Sequence, residues 1–119
     1  MKRRLRILIV EDSALLAETL CDLLLTKGME PVGPAATVDS ALQLVARSAV
    51  DAAVLDVQLG SETSFPVARA LQEKGVPFMF VAGSRFERIV PSDLEAAPLV
   101  EKPFKIPMLL RTLQSLLPK

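Results

Sequence analysis

The chain has 119 residues, half of them apolar, and its 14 basic and 14 acidic side chains cancel. That length and apolar fraction suit one domain with a true hydrophobic core, needing neither disulfides nor a structural metal. The absence of net charge gives no support for a nucleic-acid or polyanion binder. No histidine is present, which removes Ser-His and Cys-His catalysis, His-ligated metals and histidine phosphotransfer within the chain.

The basic cluster Lys2, Arg3, Arg4 and Arg6 reads as a solvated lead-in rather than a DNA-reading arm. It is not a signal peptide, because the apolar stretch Ile7 to Val10 is short and runs into Glu11-Asp12. Nowhere does an apolar run approach membrane-spanning length. Arg6 to Val10 is predicted as a first strand buried on both faces. A helix follows, capped by Asp12 or Ser13, with Leu16, Leu20, Leu23 and Leu24 on one face and Lys27-Gly28 as its stop. Cys21, alone among leucines, reads as a small core residue in a reducing compartment.

Pro31-Val32-Gly33-Pro34 is predicted as a short second strand whose prolines suit an edge. A second helix from Thr37 carries Val38, Ala41, Leu42, Val45 and Ala46 at helical spacing. Ala52 to Asp56 is a third strand, and it ends abruptly in a carboxylate. The loop Gln58 to Ser64 leads to a third helix, capped by Ser64 with Pro66 in its first turn and closed by Lys74-Gly75. Val76 to Val81 is predicted as a fourth strand, terminated by Ala82-Gly83-Ser84. Beyond it, Ser92 to Glu95 has capping-box spacing, but Pro91 and Pro98 leave room only for a short or broken fourth helix. Leu99-Val100-Glu101 is a brief fifth strand, and Ile106, Leu109, Leu110, Leu113, Leu116 and Leu117 are the stripe of a last helix. Strands alternating with helices predict a doubly wound, five-stranded parallel sheet with helices on both faces, and right-handed crossovers leave a few topologies, among them the flavodoxin-like order 2-1-3-4-5, which sets strands one and three side by side. The 119 residues are read as one domain.

In such a sheet the strand ends carry the chemistry. Glu11-Asp12 closes strand one, Asp56 strand three, and Lys102 strand five. Three carboxylates at one sheet edge repel one another, which a divalent cation relieves. Oxygen-only donors favour Mg²⁺ or Mn²⁺ over zinc. A metal and a lysine around a third carboxylate suit a transferring phosphoryl group, with Asp56 as nucleophile. Each residue singly also fits a plainer role: Asp12 as a helix cap, Glu11 as a solvated acid, Lys102 as a surface cation, Asp56 as the acceptor of an Asx-turn.

These residues, with Lys102-Pro103-Phe104, Gly33-Pro34-Ala35-Ala36 and Asp56-Val57-Gln58-Leu59-Gly60, resemble the receiver domain of two-component response regulators, in its stand-alone subgroup, from about Arg6 to Leu117. The resemblance implies that Asp56 takes a phosphoryl group from a histidine kinase or a histidine phosphotransfer protein. It implies that Asp12, Asp56 and the Gln58 backbone carbonyl ligate Mg²⁺, with Glu11 reaching the metal through water. Lys102 would pair with phosphoryl oxygens, and Lys102-Pro103 would be cis. It further implies a cytoplasmic protein, monomeric or weakly dimeric, without an output domain, that signals by protein contact and has only self-catalysed phosphotransfer and dephosphorylation. Two features depart from the pattern. Ala82 stands where the family has a Thr or Ser hydroxyl, and Leu99 where it has an aromatic switch residue. Ser84, or the Gly83 amide, is the nearest substitute, with Arg85 and Arg88 at the same rim. The departures leave open a second reading, a degenerate receiver that docks a partner regardless of phosphorylation. A flavodoxin-type cofactor binder would share the sheet order, but no Trp or Tyr is available to stack on a flavin.

Overall fold

The computed structural model describes residues 3–83 and 89–118. Ser84, Arg85 and Arg88, named above as rim residues, and Lys2 of the basic cluster lie outside them.

The chain runs β1 (Arg6–Val10), α1 (Ala14–Thr26), β2 (Glu30–Ala35), α2 (Val38–Arg47), β3 (Ala52–Asp56), β4 (Gln58–Leu59), β5 (Glu62–Thr63), α3 (Phe65–Glu73), β6 (Phe78–Gly83), β7 (Leu99–Lys102) and α4 (Ile106–Leu116). Five strands form one parallel sheet in the order β2-β1-β3-β6-β7, which is the predicted 2-1-3-4-5. Strand side chains alternate between faces, and both faces are buried. Ile7, Ile9, Val54, Met79 and Val81 pack with Leu20, Leu24, Leu109 and Leu113 of α1 and α4. On the other face, Leu8, Val10, Leu55 and Phe80 pack with Ala41 and Val45 of α2 and Val67, Ala68 and Leu71 of α3. Phe80 meets Phe65 and Phe78 edge-on, at centroid distances of 5.9 and 5.6 Å.

The N-terminal arginines tie the bottom of the sheet. Arg3 makes a bidentate pair with Asp51 (2.7 and 2.9 Å), and Arg6 reaches Glu30 at 2.9 Å. Ser13, not Asp12, caps α1, its hydroxyl accepting from the Leu16 amide.

The structure corrects the sequence reading in two places. β6 begins at Phe78 and continues through Gly83, because Ala82 and Gly83 still pair with Glu101 and Lys102 of β7. Ser64 sits at the N-cap of α3, but its ψ of 6° is not the extended value that turns a cap hydroxyl onto the first amides. Its Oγ is buried without a hydrogen-bond partner among the described residues. The fourth helix is short, as Pro91 and Pro98 led one to expect, and the capping-box spacing at Ser92 forms no side-chain cap. Ser92–Leu94 is one turn of 3₁₀-helix, and no α-helix lies between β6 and β7 among the described residues. Tertiary contacts decide that segment. Leu94 is driven into the core, 1% exposed, a burial that stabilises by about 1.5–3 kcal/mol. Arg69 takes the Asp93 carboxylate at 3.0 Å, and Gln72 the Asp93 carbonyl.

Two features have no counterpart in the sequence reading. The loop after Asp56 is an antiparallel hairpin, β4–β5, turning at Gly60 with φ +60°. And β2 is bulged: Leu8 pairs with Val32 but Val10 with Ala35, so β2 carries one extra residue there. The Gly33–Pro34 peptide bond within it is cis, as is Lys102–Pro103.

Candidate functional site

Each polar residue of the site leaves the end of an apolar strand. Glu11 and Asp12 follow β1, Asp56 is the last residue of β3, and Lys102 the last of β7. Because β1 and β3 are neighbours in the sheet, the three acids converge, with one carboxylate oxygen from each lying within 4.8 Å of the others. Glu11 is 4% and Asp56 6% exposed, while Asp12 is open to solvent.

Backbone amides hold all three carboxylates. The Ser13 N–H donates to Glu11 Oε2 at 3.0 Å, and the Gln58 N–H to Asp56 Oδ1 at 3.3 Å. From the tip of the hairpin, the Gly60 N–H donates to Asp12 Oδ2 at 2.9 Å. The Gln58 side chain, bonded to the Gly60 carbonyl, braces that turn. Lys102 crosses from the far side of the sheet, its Nζ 2.9 Å from Asp56 Oδ2 and 3.6 Å from Glu11 Oε1.

The electrostatics follow from this crowding. Burial pushes the Glu11 carboxyl up to about 7, the Ser13 amide works against it, and the nearby Asp56 carboxylate raises it further. Burial of Lys102 acts to lower its pKa, but the hydrogen bond and charge of Asp56, then of Glu11, outweigh it and the net shift is upward. The site therefore holds more negative charge than one lysine balances. Its donors are all oxygen, two of the three acids are buried, and no sulfur or imidazole lies among them. That set fits Mg²⁺ or Mn²⁺.

Of the other predicted positions, Ala82 and Gly83 lie at the carboxyl end of β6, while Leu99 opens β7. Ala82 is buried at 1% exposure. Gly83 pairs with Lys102 across β6 and β7, and half-buried Leu99 pairs with Phe80. The sequence reading missed the Gly60 amide that holds Asp12. A glycine four residues beyond the carboxylate was its one visible sign.

Residues 7–114 match the family model of the response regulator receiver domain. The chain belongs to that family. Receiver domains are signalling modules rather than conventional enzymes. Among solved structures, SdrG from Sphingomonas melonis Fr1 is similar, with 40% identity, 98% of each chain covered and a TM-score of 0.82. A BeF₃-activated conformation of SdrG from Pseudomonas melonis Fr1 shares 40% identity at a TM-score of 0.78, covering 99% of this chain and 100% of that one. The sensory transduction protein LytT of Bacillus cereus is 29% identical over 113 residues. That match takes in 92% of this chain and 46% of the relative, so the chain spans about half the length of that protein.

Proposed function

We propose that this receiver is a phosphoacceptor, with Asp56 as the nucleophile toward a phosphoryl group carried on the histidine of a kinase or of a histidine phosphotransfer protein. The observation that carries the reading is the position of the Asp56 carboxylate. It is buried at a strand tip, bonded by Lys102 at 2.9 Å, and adjoined by two further acids. A buried acid cluster disfavours folding unless something uses it.

In the proposed step an Asp56 carboxylate oxygen attacks phosphorus and the P–N bond breaks. Its electron pair leaves on the imidazole nitrogen, and Asp56 becomes an acyl phosphate. Lys102 moves its ammonium from the Asp56 carboxylate to a phosphoryl oxygen, so the positive charge follows the negative charge. The Gln58 and Gly60 amides keep Asp56 and Asp12 oriented throughout. Asp12, Asp56 and the Gln58 carbonyl would hold Mg²⁺, or Mn²⁺, with Glu11 acting through water, and the bound ion would add positive charge against the phosphoryl oxygens. Water attack on phosphorus breaks its bond to the Asp56 oxygen, releases inorganic phosphate and restores the carboxylate. With Ala82 offering no hydroxyl, the Gly83 amide and the Ser84 hydroxyl, which follow it in the sequence, are the candidate donors. The phosphorylated receiver then acts through contact with a downstream protein.

Ala82 and Leu99 favour a second reading, a receiver that docks its partner whether or not it is phosphorylated. Titration of the ¹⁵N-labelled protein with beryllofluoride separates the two. The phosphoacceptor reading expects amide shifts around Asp56 and Gly83 that need Mg²⁺ and vanish in Asp56→Asn. No shift in the wild type, or the same shift in Asp56→Asn, would leave the docking reading alone.

A further inference from the structure

The bulge in β2 lies beside the metal-binding acids, and its geometry ties the two together. β1 is gripped on one side by β3 in unbroken register, but that pairing ends at Val10↔Leu55. The next residue, Glu11, turns its main chain to the other neighbour, and its N–H donates to the Ala35 carbonyl of β2 at 2.9 Å. Glu11 is 4% exposed, so water is a poor substitute for that bond. Ala35 reaches this register because three residues of β2 follow Val32 where β1 advances by two from Leu8 to Val10. Gly33 makes the compression feasible. Its φ is +96°, and a Cβ there would lie 2.9 Å from the Ala35 nitrogen and 3.0 Å from the Ile9 carbonyl oxygen. Both neighbours are backbone, which cannot rotate away.

We propose that Gly33 is a positioning residue for the Glu11–Asp12 pair: by letting the tip of β2 lie directly on β1, it seats the Ala35 carbonyl on the Glu11 amide and so sets the two acids against Asp56. The inference rests on the metal-binding reading of those acids. It adds to that reading a part of the site built from a neighbouring strand that contributes no polar side chain to it. A Cβ at residue 33 pushes the β2 tip off Ile9, two residues before Glu11, and the displacement passes into the Glu11 main chain. Residues that orient metal ligands without touching the metal typically change its affinity by about 10- to 100-fold when altered.

The test uses the full ¹⁵N-labelled chain with two readouts, amide hydrogen exchange in the absence of metal and Mg²⁺ affinity from shift titration. Gly33→Ala is compared with Val45→Ala, a core truncation on α2 that loosens the protein away from the site. Gly33→Asn presents the same Cβ with a side chain that tolerates positive φ, and serves where the alanine variant fails to fold. The expected result is a Glu11 amide that exchanges about tenfold faster relative to that of Leu8, and Mg²⁺ affinity about tenfold weaker, in both Gly33 variants. Val45→Ala should match the wild type in both respects. Unchanged Mg²⁺ affinity in the Gly33 variants would reduce the bulge to a packing feature and overturn the proposal, as would an equal loss in Val45→Ala. A wild-type protein that does not bind Mg²⁺ would overturn the metal reading and this inference with it. Faster Glu11 exchange with unchanged Mg²⁺ affinity would defeat this inference alone.

Discussion

Replacing Lys102 by Met keeps the aliphatic stem and removes the charge, leaving Asp56 and Glu11 facing each other without compensation. The structure bounds the size of the effect. At the 2.9 Å separation of Lys102 Nζ and Asp56 Oδ2, the Coulomb energy is about 6 kcal/mol at an effective dielectric of about 20, and about 1.4 kcal/mol in bulk water. The Lys102 side chain is 32% exposed while that of Asp56 is 7% exposed, so solvent screening draws the value toward the lower bound, and a coupling of about 2 kcal/mol is expected. The assay is a double-mutant cycle of Lys102→Met and Asp56→Asn, read by urea unfolding in Mg²⁺-free buffer near neutral pH. Lys102→Met alone should destabilise the protein. The same substitution made on the Asp56→Asn background should do so much less, because the buried charge it would have stranded is gone. Additivity to within about 0.5 kcal/mol would refute the reasoning, since it would mean that the ion pair at the heart of the site contributes nothing to the metal-free fold.

Two further predictions concern the scaffold. Ser64→Ala should raise stability by about 1 kcal/mol, because it removes a hydroxyl that is buried without a partner among the described residues, and urea unfolding with an unchanged m-value would show it; a loss of stability would mean that Ser64 Oγ is bonded in solution. Acid unfolding should report on Asp51, whose carboxyl is held below its ordinary value of 3.8 first by the Arg3 side chain and also by the Arg6 amide. Just below 3.8 the unfolded state binds more protons than the native one, so this contribution is complete above that pH and is lost as pH falls through the lower native value. Asp51→Asn should therefore flatten the acid limb of the stability curve and leave its shape near neutrality unchanged; an unaltered acid limb would exclude the Arg3–Asp51 pair as a contributor.

What was legible in the sequence, and what was not, divides along a physical line. Asp56, Glu11-Asp12 and Lys102 could be read because each breaks an apolar strand at its carboxyl end, and the alternation of strands and helices places all of those ends on one edge of a parallel sheet. The alternation left a few strand orders open, and the resemblance to receiver domains selected the one observed. The failures come where local preference competes with packing. Pro91 and Pro98 announced a short or broken fourth helix, but the capping-box spacing of Ser92 to Glu95 does not act as one: the burial of Leu94 and the grip of Arg69 on Asp93 hold a single 3₁₀ turn. Ser64 has the right identity for a cap, but the hairpin before it delivers the residue with the wrong ψ. The Gly60 amide on the Asp12 carboxylate and the Ala35 carbonyl on the Glu11 amide are contacts made by the main chain of distant segments. No side-chain pattern encodes them, and only the glycines that permit them mark the places.

Intact mass spectrometry of the protein incubated with acetyl phosphate and Mg²⁺ tests the central claim most directly. The account predicts the gain of one phosphoryl group, mapped to Asp56, lost on omission of Mg²⁺ and absent in Asp56→Asn. A protein that stays unmodified under those conditions, or that carries the group on another residue, would contradict it.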